Sequence, residues 1–210
     1  MLRLLGFLFL IGSLNSASGE QPRLRIVLDA DQPSLSRCMI LGSGQEIEPF
    51  QVGFGRHGID PKGARFRGGY SLYGTFRINA ILSADRFEME PRLIEQSGKT
   101  AEYLKSHLFA NMSKIDFDGD GEGGEYGAAF VSLEDLSGRD QPFQFNTYKG
   151  VFRWYSYAIH GTQDPARIGK SVTGGCINVG AEDLERILSV VKLGDVVEVM
   201  RRNTESLLKN

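Results

Sequence analysis

The chain has 210 residues, with 24 Lys+Arg against 26 Asp+Glu and a formal net charge of −2. Its 41% hydrophobic and 24% charged content excludes disordered, collagen-like and multi-span membrane classes, and the near-neutral balance provides no global field for nucleic acid or an anionic membrane. The length suits one domain with a sizeable core but hardly two, while 26 Gly and 13 Phe point to turns and strands more than to helices.

In chain order, residues 1–19 carry Arg3, an apolar run from Leu4 to Ile11, and small residues up to Ala17-Ser18-Gly19. That is the layout of a secretory signal peptide, too short and wrongly flanked for a spanning helix, with an uncleaved N-terminal anchor as the alternative. Residues 20–203 then form a single domain without a transmembrane span, exported to the cell envelope. An oxidising compartment would allow Cys38 and Cys176 to pair. Leu24 to Leu28 and Arg37 to Leu41 read as two short strands around the polar turn Asp29 to Pro33. Phe50 to Phe54 alternates at period two, and Tyr73 to Ile78 is another β-like run. Between them, Gly55 to Gly69 is a basic loop carrying Arg56, Lys62, Arg65 and Arg67, either solvated or facing a substrate carboxylate.

From Ile81 to Phe145 the pattern is less regular, with a helix expected over Thr100 to Asn111. Phe152 to His160 reads as one aromatic-rich strand, with Trp154, Ser156, Ala158 and His160 on one face and Tyr155, Tyr157 and Ile159 on the other. In Ala181 to Lys192, Leu184, Ile187, Leu188 and Val191 make the apolar stripe of an amphipathic helix. Gly194 ends that helix, and Asp195 to Met200 is a closing strand. The fold class is mainly β (α+β), with a few short helices.

The chemistry concentrates between His160 and Asn178. A thiol is a nucleophile only as its thiolate, so Cys176 needs a base or a positive environment to draw its pKa toward neutrality. His160, sixteen positions earlier, supplies the base. Gly174-Gly175 clears side chains from the approach to the sulfur and permits a tight turn whose N–H groups face a developing oxyanion. Taken separately, a strand His and a Gly-Gly-Cys turn are also compatible with purely structural roles. A zinc cluster is not indicated, since His57, His107 and His160 are dispersed and no C-x-x-C occurs.

In order and spacing this segment resembles the signature of the L,D-transpeptidase catalytic domain: His160-Gly161-Thr162, Ile168-Gly169, Thr173, Gly175-Cys176-Ile177 and Asn178. Ser71 to Phe76 resembles a second family turn without its Pro, and the likeness covers about residues 23–200, with an atypical insertion near 85–148. Gly174 departs from the pattern, standing where many members carry a second His. The resemblance implies an L,D-transpeptidase-like β-sandwich acting on peptidoglycan stem peptides in the periplasm. Cys176 would attack the carbonyl of the third, diamino-acid residue and expel the terminal D-amino acid. The thioester would then pass to an amine or, as an L,D-carboxypeptidase, to water. His160 would move the protons, Gly161 orient its ring, and Gly174, Gly175 and Cys176 offer oxyanion donors, with Thr173 and Asn178 toward the substrate. No cofactor is required.

Asp116, Asp118 and Asp120 with Gly121 give the first half of an EF-hand-like loop, with Glu122 or Glu125 standing in for the missing twelfth-position Glu. A structural Ca²⁺ site and a plain acidic surface loop are both compatible with this run. A second function class is therefore a non-catalytic envelope binding module with a Cys38–Cys176 disulfide or a calcium loop. A sortase-like transpeptidase shares the His-before-Cys order, but the short spacing speaks against it.

Overall fold

Apolar residues at every second position of Leu24-Arg25-Ile26-Val27-Leu28 make strand β1 (Leu24–Leu28), with Leu24, Ile26 and Leu28 fully buried. The computed structural model describes residues 21–42, 48–60, 65–117, 119, 121 and 123–202; the expected signal segment and Lys62 lie outside these. Eleven further strands follow: β2 (Arg37–Ile40), β3 (Phe50–Gly55), β4 (Gly74–Ser83), β5 (Phe87–Met89), β6 (Ala129–Asp135), β7 (Gln144–Tyr148), β8 (Val151–Tyr155), β9 (Tyr157–His160), β10 (Ser171–Thr173), β11 (Ile177–Val179) and β12 (Val196–Arg201). The α-helices are α1 (Pro91–Ser97), α2 (Ala101–Met112) and α3 (Ala181–Val190). None of them is long and apolar enough to cross a membrane.

The expected class holds, but the expected sandwich does not. The strands run β3-β11-β9-β6-β4-β12-β1-β2, and β2 pairs again with β3 through Arg37↔Gln51 and Cys38↔Phe50. One sheet thus closes on itself instead of stacking as two, which leaves these eight strands without an open edge. Strand β10 adds to β3, and β5 to β4. The barrel interior holds Leu24, Ile26, Val52, Phe54, Phe76, Ile78, Tyr157 and Ile159, and Leu184 and Ile187 of α3 join the same core.

A second apolar layer lies outside the barrel, where Ala80, Leu82, Phe130 and Ala158 meet Leu104, Leu108 and Met112 of α2. A bulge makes both layers possible. Register shifts between Ile78↔Leu133 and Ala80↔Ser132, so Asn79 is an extra residue, and Ile78 points inward while Ala80 points outward. Helix α2 covers the outer layer because Leu104, Leu108 and Met112 recur every four residues. Its start is fixed by the Thr100 side chain, which accepts the Tyr103 N–H at 3.1 Å.

Of the segment 85–148, β6 is part of the barrel, whereas α1, α2 and β7 stand outside it. The strand expected over 152–160 is interrupted at Ser156: β8 leaves the barrel to pair with β7 alone, and β9 stays in it. The alternation of faces nevertheless runs through the break, with Trp154 and Ala158 outward and Tyr157 and Ile159 inward. The β7–β8 hairpin turns on Lys149 and Gly150, both at positive φ (49° and 81°), the two-residue geometry that matches strand twist.

Candidate active site

Strand pairing brings His160 and Cys176 together. Strands β9 and β11 are parallel, with Ile177 opposite Ile159 and Asn178 opposite His160. Cys176, two residues before Asn178, faces the same side of the sheet as His160, at a Cα separation of about 8 Å by strand geometry. Both line one cavity of 340 Å³. Its walls carry the guanidinium groups of Arg56, Arg153 and Arg167, the Glu125 carboxylate, and the rings of Phe66, Phe117, Tyr126, Tyr148 and Tyr155. A larger cavity of 640 Å³ on the Trp154 side shares Ser156 with this one but holds neither His160 nor Cys176.

His160 is only 7% exposed, and its Nδ1 donates to the Gly161 carbonyl at 2.6 Å. That bond places the neutral ring's proton on Nδ1 and leaves Nε2 as the basic nitrogen. Tyr126 meets the ring edge to face at 5.1 Å. Burial, with the nearby Arg167 charge adding to it, lowers the His160 pKa to about 4 against the backbone carbonyls of Gly161 and Glu125, which favour the charged ring. Burial likewise pushes the Cys176 thiol up to about 12, and its S–H donates to the Ser156 carbonyl at 3.6 Å. Both shifts favour the neutral thiol and the neutral imidazole. That direction is opposite to a thiol drawn toward neutrality by His160.

The turn before Cys176 is braced at three successive carbonyls. Gly69 N–H donates to Gly174 O at 2.7 Å, Ser71 Oγ to Gly175 O at 2.6 Å, and Thr173 Oγ1 to Cys176 O at 2.5 Å. Gly175 sits at φ +131°, and a Cβ there would lie 2.4 Å from the Phe66 ring, so only glycine fits. Its N–H donates to Thr173 Oγ1 at 3.1 Å. The Gly175 donor is therefore committed within the turn, leaving the Gly174 and Cys176 N–H groups outside this bracing. The Thr173 hydroxyl is occupied in the same way, although Thr173 lines the cavity. Asn178 is 1% exposed and stands away from the cavity, packed over Gly53, where a Cβ would fall 2.1 Å from its Oδ1. Its Nδ2 and Oδ1 are buried with no hydrogen-bond partner among the described residues.

Cys38 and Cys176 are both free thiols, which removes the disulfide of the binding-module reading. Cys38 is fully buried on β2 in the barrel interior, and burial raises its pKa strongly. Of the candidate calcium ligands, Asp118, Asp120 and Glu122 lie outside the described residues. The Asp116 carboxylate accepts the N–H groups of Gly119 and Gly121, at 2.5 and 3.1 Å, and Glu125 turns toward the cavity instead. Among the described residues no cluster of three His, Cys, Asp or Glu side chains is placed to hold a metal.

The sequence profile of the L,D-transpeptidase catalytic domain (YkuD) matches residues 25–199. The chain belongs to that family. This L,D-transpeptidase domain is 44% identical over 45 residues to YkuD of Bacillus subtilis (strain 168), a stretch covering 21% of this chain and 27% of that protein. Similar solved structures include an L,D-transpeptidase from Mycobacterium smegmatis (16% identity, TM-score 0.40) and L,D-transpeptidase 3 from Mycobacterium tuberculosis with a faropenem-derived adduct (13%, TM-score 0.42). Each alignment covers 85% of this chain, and 59% and 60% of the respective solved chains. The chain thus spans about a quarter of the curated relative it matches and three fifths of these solved structures.

Of the cavity walls, Arg56 was legible in the sequence as part of the basic loop, and the opposite wall was not. Tyr126, Tyr148, Arg153 and Tyr155 come from the irregular segment and the β7–β8 hairpin, for which the Lys149-Gly150 turn between aromatic alternations was the available signal.

Proposed function

We propose that the protein is an exported peptidoglycan L,D-transpeptidase with Cys176 as nucleophile and His160 as general base and acid. The observation that carries this reading is the parallel β9–β11 register, which puts the imidazole and the thiol on one face and in one cavity. His160 Nε2 takes the thiol proton as Sγ attacks the carbonyl of the stem peptide's third residue. The tetrahedral oxyanion faces the N–H groups of Gly174 and Cys176. The imidazolium returns its proton to the departing amine of the terminal D-amino acid, leaving a thioester on Cys176. An acceptor amine or water, deprotonated by His160, then attacks the thioester and releases the thiol. Three guanidinium groups against one carboxylate make the cavity cationic, which suits a peptide bearing free carboxylates.

Incubation with purified muropeptides, followed by mass spectrometry, tests this. The expected products lack the terminal D-amino acid and carry either an acceptor amine or water, and Cys176→Ser lowers their formation by at least about 10³-fold with an unchanged melting transition. Wild-type turnover in the Cys176→Ser protein removes the assignment.

A further inference from the structure

The direction of the Cys176 N–H is set at the other end of its own peptide unit. Among the described residues no peptide bond is cis, so the Gly175 carbonyl and the Cys176 N–H point to opposite sides of one plane. Ser71 holds that carbonyl. Its Oγ donates at 2.6 Å, and the residue is 0% exposed. The Gly55 N–H occupies an Oγ lone pair at 2.9 Å, and the Tyr157 hydroxyl, which also touches Ser71, spends its own proton on Leu72 O at 2.9 Å. The single Ser71 hydroxyl proton thus goes to Gly175 O. The backbone behind it is clamped as well: the Ser71 N–H donates to Gly58 O and its carbonyl accepts the Asp60 N–H, both at 2.9 Å.

Of the carbonyl braces described around Cys176, only this one acts on a proposed oxyanion donor through a side chain. The Gly69 N–H holds the Gly174 carbonyl, whose peptide carries the Gly175 N–H already given to Thr173 Oγ1. Thr173 Oγ1 holds the Cys176 carbonyl, whose peptide carries the Ile177 N–H at the start of β11. The Gly174 N–H shares its peptide with Thr173 O, which accepts the Arg56 backbone N–H at 3.0 Å. We infer that Ser71 is a positioning residue for the oxyanion hole, its hydroxyl aiming the Cys176 N–H at the oxygen of the tetrahedral intermediate. The inference rests on the transpeptidase reading, in which that N–H faces the oxyanion. A hydrogen bond to the carbonyl end of a buried peptide also polarises its N–H end, so the brace strengthens the donor as well as aiming it. The thiol has its own anchor on the Ser156 carbonyl and does not depend on Ser71.

Two reagents that meet the same sulfur separate the oxyanion from the thiol. p-Nitrophenyl acetate passes through a tetrahedral oxyanion: the Sγ–acetyl bond forms, the bond to p-nitrophenolate breaks, and the thiol proton leaves through His160 to the medium. Iodoacetamide forms an Sγ–carbon bond and releases iodide and the thiol proton with no oxyanion. Both reactions are read at Cys176 by peptide mass spectrometry of the full-length protein, where the fully buried Cys38 is shielded. Ser71→Ala should slow acetylation by about 10- to 100-fold, while alkylation stays within about twofold of wild type. Ser71→Thr, which keeps the hydroxyl, should recover most of the acetylation rate. An equal fall in both reactions, or no fall in either, overturns the inference. If Ser71→Ala does not fold, the wild-type protein decides. Gly175-Cys176 is the only Gly-Cys pair in the sequence, so glycine labelled at its carbonyl carbon and cysteine labelled at its nitrogen isolate the Cys176 amide by NMR. Its proton should move downfield when Cys176 is acetylated, and an unmoved signal overturns the inference. Wild-type turnover of a tetrapeptide stem is read separately: absence of product sinks the transpeptidase reading and leaves the two-reagent comparison to decide the role of Ser71.

Discussion

At the scale of single residues, the protonation state of the Cys176–His160 pair determines how the nucleophile is activated. With the thiol held up to about 12 and the imidazole down to about 4, neither carries charge at neutral pH. Proton transfer then accompanies attack and is not stored in a resting ion pair. With the thiol pKa raised, iodoacetamide should modify the resting enzyme slowly at pH 7, at a rate that climbs with pH through pH 9. Cys38, fully buried, does not compete while the protein is folded. His160→Ala should leave this alkylation profile nearly unchanged while turnover falls by about 10²- to 10⁴-fold. A plateau at neutral pH that disappears in His160→Ala would restore the ion pair. The nucleophile and its base were legible in the sequence because Gly-Gly-Cys and a strand-ending His are local patterns. Their pKa values were not, because burial is set by Tyr126, Tyr155 and other side chains distant in sequence.

At the scale of elements, the outer layer supports the site from behind. Helix α2 presses Leu104, Leu108 and Met112 against the sheet, and Ala158, two residues before His160, belongs to the same cluster. Leu108 is 0% exposed, so Leu108→Ala should cost about 2–5 kcal/mol in urea unfolding. A loss below about 1 kcal/mol would mean that the site collapses without strain or that α2 is not seated there. The helix itself was readable from Thr100 and the four-residue spacing, and β1 from its period of two. Its seat was not, because the outward turn of Ala80 depends on the bulge at Asn79, which leaves no mark in hydropathy. The break at Ser156 was hidden for the opposite reason: the face alternation continues through it, while the buried Ser156 hydroxyl contacts Ser132 Oγ at 2.6 Å and its carbonyl is the acceptor for the Cys176 thiol.

At the scale of the whole molecule, barrel closure depends on the β2–β3 pairing, a register that period-two alternation cannot specify. Burial of His160 also makes stability sensitive to pH. His160 titrates near its ordinary 6.5 in the unfolded chain and near 4 in the fold. Between these values the unfolded state binds the proton and the folded state does not, so stability rises with pH across the window and falls as pH drops through it. The stabilisation is complete above about pH 6.5 and is lost toward pH 4, a difference of about 3 kcal/mol. Asp135, whose carboxyl is held below its ordinary 3.8 by hydrogen bonds from Arg139 and Ser137 against the opposing effect of burial, acts below this window. Asp183, raised from 3.8 by burial, opposes the trend at its lower end. Urea unfolding from pH 4 to 7 should therefore show a midpoint that climbs with pH, and His160→Gln, which has no proton to gain in this range, should remove most of the climb. If the two proteins keep parallel pH profiles, His160 is not the buried neutral base on which the proposed chemistry depends.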